Sequence, residues 1–189
     1  MSTFMKRKPY AILFCIIFLV QNLVFAQEAK LTNLIVTNTR DDLLVYLSVE
    51  GAFREKTKKA ILSGVPTTFS FFITLYRPRN LWLDNKIAAI KATSTVKYNN
   101  LKKEFAVKRS WKNGESIVTQ SFEEVQTLMT DIDSLKIVPL SVLEKGSHYQ
   151  IRLKAELSKL TLPFYLHYVF IFISFWDFET YFYTIDLIY

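Results

Sequence analysis

One cysteine, two histidines and four glycines are all that the 189 residues hold of these types. Each scarcity removes a class of chemistry. Cys15 lies in an apolar N-terminal run, so beyond residue 26 there is no thiol for a disulfide, a nucleophile or a thiolate metal site. Nucleophilic catalysis brings a nucleophile, a base and an orienting acid together. His148 falls on the wet face of an alternating segment, His167 sits in an apolar run, and no Gly-x-Ser-x-Gly elbow occurs. Four glycines are too few to signal a phosphate-cradling loop. Asp131-Ile132-Asp133 is a close carboxylate pair without the remaining spacing of a calcium loop, and it reads as the polar end of a helix before a turn. No catalytic residue, metal ligand or cofactor is therefore assigned. The reading is a non-enzymatic protein, with a hydrolase of unknown substrate as an alternative, since any two acids can converge in space.

The first 26 residues have three parts. Lys6-Arg7-Lys8 precedes an uncharged, apolar run from Pro9, which ends in Val24-Phe25-Ala26. A basic start, a short apolar stretch and a small residue at the cut describe a secretory signal peptide, with cleavage after Ala26. The rival is an uncleaved anchor, but Gln21 and Asn22 interrupt the run. The expected location is periplasmic or envelope-associated.

Charge is unevenly spread. From residue 54 to 112 there are 14 basic and 3 acidic residues; from 113 to 189 there are 5 basic and 10 acidic. Such asymmetry suits an electrostatic partner. Export makes nucleic acid a poor one, leaving an envelope protein or an anionic surface. A solvated basic strand face without any partner is the bland alternative.

Period-two alternation dominates what remains. Tyr149, Ile151, Leu153, Ala155 and Leu157 share one face, opposite His148, Gln150, Arg152, Lys154 and Glu156. Ile90 to Tyr98 alternates likewise, as does Thr67–Tyr76, and Leu34–Asn38 pairs with Leu43–Glu50 around Arg40-Asp41-Asp42. Strands with one greasy and one charged face belong to antiparallel sheets. Lys103–Lys112 and Glu115–Gln120 form a hairpin through Asn113-Gly114, a pair that accepts positive φ.

Two segments read as helices. Phe53–Leu62 stops at Ser63-Gly64-Val65-Pro66. The second begins at Ser121 with Glu124 in capping-box spacing, and Phe122, Val125, Leu128, Met129 and Ile132 form its stripe. The expected fold is one α+β domain over residues 27–189, mainly antiparallel β-sheet, with a two-layer sandwich among its arrangements and two short amphipathic helices.

Leu160–Trp176 has no formal charge and is apolar on both alternating faces, as a doubly buried strand would be. A transmembrane helix is the alternative, short and interrupted by Pro163 and His167. The run points to a C-terminus central to the core, or to one wall of an apolar-ligand or lipid pocket. A chain closing on Tyr181, Tyr183, Ile185, Leu187 and Tyr189 also admits a small outer-membrane barrel, against which stand the helices and the charged strand faces. The best binding residues are Arg77, Arg79 and Trp82, because arginines beside an aromatic can hold anionic or planar groups.

A family likeness runs through these residues. Leu62-Ser63-Gly64-Val65-Pro66 leads into a strand; Arg77 and Arg79 precede Trp82 and Asp84; Tyr98, Leu101, Phe105 and Val107 follow in the spacing Y-x-x-L-x-x-x-F-x-V. Gly146 and Tyr149 introduce a strand, Leu162-Pro163 follows it, and Phe175-Trp176-Asp177-Phe178 comes near the end. The ordered set, from about Leu31 onward, resembles domain of unknown function family 4390, a group of exported bacterial proteins. The resemblance implies no activity or site residue. Its members are often encoded near two-component sensor kinases, which implies an envelope-linked role.

Overall fold

The computed structural model describes residues 29–79, 83–158 and 179–189. In chain order the elements are β1 (Lys30–Asn38), β2 (Asp42–Glu50), α1 (Glu55–Leu62), β3 (Thr67–Arg77), β4 (Asn85–Asn99), β5 (Glu104–Arg109), β6 (Ser116–Thr119), α2 (Phe122–Thr130), β7 (Ile132–Pro139), β8 (His148–Ser158) and β9 (Tyr183–Ile188). The segment read as a signal peptide, residues 1–26, lies outside the described residues, as do Trp82, His167 and the apolar run 160–176.

The strands make two antiparallel sheets. A three-stranded sheet has the order β1-β2-β7, and a six-stranded sheet has the order β6-β5-β4-β3-β8-β9. The larger one grows as a meander from β3 to β6, and β8 then pairs with the other side of β3. The α+β reading, mainly antiparallel, is what the chain adopts.

Alternation decides which face is buried. Phe69, Phe71, Ile73 and Leu75 of β3 point inward beside Tyr149, Ile151, Leu153 and Ala155 of β8. Leu43, Val45, Leu47 and Val49 supply the inner face of β2, and Ile61, Val125 and Met129 come from the helices. All join one core cluster, so both sheets and both helices bury their apolar sides together. Fully burying a side chain of this kind contributes about 1.5–3 kcal/mol. Helices of 8 and 9 residues cannot persist alone in water and form here because they pack on that core. Ser94 is the polar exception on the inner face of β4, satisfied because its hydroxyl donates to the Leu128 carbonyl at 3.2 Å.

Local signals place the helix ends. After α1, Gly64 takes φ +85°, as a glycine stop requires. Ser121 caps α2 by accepting from the Glu124 N–H at 3.3 Å. The reciprocal half of the box is missing, because the Ser121 N–H donates to the Thr119 hydroxyl and Glu124 accepts from that same hydroxyl.

Several expectations need correction. Asp131-Ile132-Asp133 is not the lead into a turn: Asp131 is the residue after α2, and β7 begins at Ile132. Ile132 thus packs from a strand, not from the helical stripe. Register shifts against β2 and φ +62° at Ser134 break the two-residue period, which hid β7 from the sequence reading. Asn113 and Gly114 do have positive φ, but β5 ends at Arg109 and β6 starts at Ser116, so the connection is wider than a two-residue turn. Among the described strands β9, which closes the chain, lies at the edge of the larger sheet, while the run 160–176, expected at the centre of the core, lies outside the described residues. Among the described residues β6 and β9 do not pair, and the strands form two open sheets instead of a closed barrel.

Candidate functional site

With one face of the six-stranded sheet turned to the core, the even-numbered positions of β3 and β8 form the opposite face, which is half-buried around Phe72 and Tyr76 and fully buried at Ser70. Cross-strand pairing sets its rows: Lys91, Phe72 and Lys154 share one, and Ala89, Thr74, Arg152 and Thr184 share the next. Lys91 and Lys154 approach the Phe72 ring from its two flanking strands, at 5.2 and 5.4 Å from its centroid. Arg152 stacks over Tyr76 at 4.5 Å. Phenylalanine and tyrosine on this half-buried face are thus flanked by cations, which their negative ring faces attract.

This face is electrically divided. On the β8 side every cation of the stack is neutralised. Arg152 meets Asp84 at 2.7 Å, and Lys154 meets Glu179 at 2.8 Å and Glu156 at 3.3 Å. The Glu179 hydrogen bond raises the Lys154 pKa above its ordinary value; burial opposes it and Glu156 adds to it. On the β4–β5 side the pattern reverses. Lys97 lies opposite Ala106, and Lys108 opposite Thr95, so both point outward. That makes Lys97 and Lys108 diagonal neighbours about 7–8 Å apart. Among the described residues no carboxylate pairs with Lys91, Lys97, Lys103 or Lys108.

The β4–β5 connection completes this half. The Asn99 side-chain oxygen accepts from the N–H groups of Leu101 and Lys102, at 3.0 and 3.2 Å. Lys103 closes the turn by donating its N–H to the Asn99 carbonyl at 2.8 Å, with φ +56°. Tyr98 and Phe105 stack beneath at 4.6 Å. The turn is held by side-chain and backbone bonds together, and it leaves Leu101 95% exposed at its apex. Beside it a cleft of about 380 Å³ is lined by Lys97, Asn99, Asn100 and Glu104, among others.

Of the residues singled out from sequence, Arg77 ends β3 and is already engaged. Its guanidinium meets Glu144 at 2.6 Å and donates to the Ser147 hydroxyl at 3.1 Å. That contact raises the Arg77 pKa and holds the Glu144 carboxyl below its ordinary value. Arg79 is exposed two residues on, and Trp82 lies outside the described residues, so the three are not seen converging. Lys97, Leu101, Lys102, Lys103 and Lys108 were not among the expected binding residues, Leu101 entering only through the family-like spacing. The signal was there in Asn99-Asn100-Leu101-Lys102-Lys103, a polar turn with one misplaced leucine.

Other groupings serve structure. Asp133 is surrounded by Lys112, Arg109 and Trp111. Among the described residues no group of three or more His, Cys, Asp and Glu side chains could hold a metal ion. A second cleft, about 460 Å³, opens where the two helices begin and carries both signs of charge, with Lys58 beside Glu55 and Glu123.

A family model described as Domain of unknown function (DUF4390) matches residues 26–186. No curated protein and no solved structure matches the chain.

Proposed function

The chain belongs to the DUF4390 family, and on that premise we propose that it is an exported, non-enzymatic binding module of the cell envelope that engages an anionic partner through the β4–β5 half of its larger sheet. The observation that carries this reading is the division of that face. Cations beside β8 and β9 are spent on Asp84, Glu156 and Glu179, whereas Lys91, Lys97 and Lys108 are exposed and, among the described residues, have no carboxylate partner. Unpaired like charges on adjacent strands repel one another, and an anionic partner relieves that repulsion. Support for export comes from the basic-then-apolar N-terminus and from the family match, which starts at residue 26, where that segment ends. No helix among the described residues is long and apolar enough to cross a membrane.

Two measurements test the proposal. Fractionation of cells making the tagged chain, with N-terminal sequencing, is expected to find it in the envelope beginning at Gln27. Crosslinking in intact cells is expected to capture a partner whose yield drops when Lys91, Lys97 and Lys108 are replaced together by glutamate. Recovery from the cytosol with Met1 intact, or unchanged crosslinking by that triple variant, rejects it.

A further inference from the structure

The leucine at the hairpin apex names the kind of partner. Single exposed apolar residues are ordinary on protein surfaces. Leu101 differs in three ways. It is 95% exposed in the connection between β4 and β5. The turn that presents it is fixed by the Asn99 side chain and braced by Tyr98 on Phe105, so the exposure is built in. Positive charge also lies near it: Lys102 and Lys103 follow it, and Lys97 stands two residues before Asn99 on β4. Lys108, opposite Thr95, sits about 13 Å further back along the hairpin, at roughly 3.3 Å per residue. Glu104 is the single acid in this stretch, and Lys102 neutralises it at 3.6 Å.

An apolar tip with lysines next to it and behind it matches one surface chemically. A bilayer leaflet offers anionic headgroups outside and hydrocarbon a few ångströms deeper, in that order. An acidic protein face or a soluble polyanion would satisfy the lysines but give the leucine nothing. Lysine stems can also lie along the acyl boundary while their ammonium groups stay at headgroup level. We propose that the β4–β5 hairpin tip is a membrane-docking element, with Leu101 inserted into an anionic lipid leaflet and Lys97, Lys102 and Lys103 on its headgroups. The cleft beside Lys97, Asn99 and Asn100 lies where a headgroup would sit. This inference rests on the binding reading above and supplies its partner: a lipid surface, met tip first.

Cysteine scarcity makes the test clean, since the processed chain expected from Gln27 onward has no native thiol. Leu101→Cys then carries a polarity-sensitive fluorophore, and Tyr181→Cys, at an exposed site on the segment leading into β9, serves as control. With phosphatidylglycerol–phosphatidylcholine vesicles, the label at position 101 is expected to blue-shift and to be quenched by brominated acyl chains. Phosphatidylcholine alone should leave it unchanged, and the label at 181 should stay in water with both. Lys102→Ala and Lys103→Ala should each weaken the response roughly fivefold, the effect of one basic residue near an anionic leaflet. A label at 101 that stays in water on anionic vesicles overturns the docking proposal. If the lysine-to-glutamate variant still loses an acidic protein partner in cells, the broader reading survives that failure. If that variant loses nothing either, both fall.

Discussion

Asp133 on β7 accepts a hydrogen bond from the Trp111 indole N–H at 3.3 Å, joining the three-stranded sheet to the β5–β6 connection of the larger one. Arg109 and Lys112 reach the same carboxylate at 3.3 and 2.9 Å, and the Trp111 ring stands edge-on to buried Phe71, with centroids 6.1 Å apart. A polar clasp therefore closes over the aromatic part of the core.

The clasp predicts a pH dependence. Burial pushes the Asp133 carboxyl up, but hydrogen bonds from Lys112 and Trp111 and the charge of Arg109 outweigh it and leave the pKa below the ordinary value. A group whose pKa is lower folded than unfolded stabilises the fold above its unfolded pKa, about 3.9 for aspartate, and stops doing so as pH falls through the folded value. Asp133→Asn should thus cost about 1 kcal/mol at neutral pH, discounted because the carboxylate is half exposed. Urea unfolding at steps from pH 7 to pH 2.5 should show the gap from the parent narrowing only below about pH 4. A gap that is constant with pH would show that the charge is irrelevant.

Arg77 and its neighbours give a second test. Because Arg77 is engaged with Glu144 and Ser147 at an exposed strand end, Arg77→Ala should shift the thermal midpoint little. Because the proposed partner sits on the β4–β5 half, alanine at Arg77, Arg79 and Trp82 together should leave partner crosslinking unchanged while folding is kept. Loss of the cooperative transition in that triple variant would assign the three to the fold.

The core sets a third. Phe71 is 1% exposed at the middle of β3, flanked by β4 and β8 and touched by Trp111. Phe71→Ala should cost about 3–5 kcal/mol, the range for emptying a large aromatic site. Chemical denaturation measures it, and a cost under 1 kcal/mol would mean that the two layers are loosely packed there.

These residues also show what could be read from sequence. β3, β4 and β8 were legible because one side of each is apolar and buried in the core, so every second residue carries the message. The Gly64 stop and the Ser121 cap were legible because their signals are local. β7 was not, since bulged pairing with β2 and positive φ at Ser134 spoil its period while its two aspartates imitate a loop. The clasp was not, because Asp133 lies more than 20 residues from Arg109 and Trp111 and on a different sheet. Pairing likewise decides which cations are spent. Arg152 and Lys97 look alike on alternating strands until β8 is set near Asp84 and β4 is set beside Ala106.

The last prediction concerns how the docking hairpin is buttressed. Gly64 has φ +85°, and a β-carbon there would stand 3.1 Å from the Asn100 amide nitrogen and 3.7 Å from the Tyr98 carbonyl. Gly146 has φ +77° but nothing within 4 Å of the same added atom. Alanine at either site meets the left-handed backbone penalty, about 1–2 kcal/mol. Each is partly offset because alanine restricts the unfolded chain, an effect of roughly 0.4–1 kcal/mol. Those terms are nearly common to both substitutions, so the difference between them isolates the contact with the tip. Gly64→Ala should therefore be the more destabilising of the two by urea denaturation, and it alone should displace Asn100 and weaken the vesicle response of a label at Leu101. Equal costs, with the response unchanged, would mean that α1 does not support the hairpin.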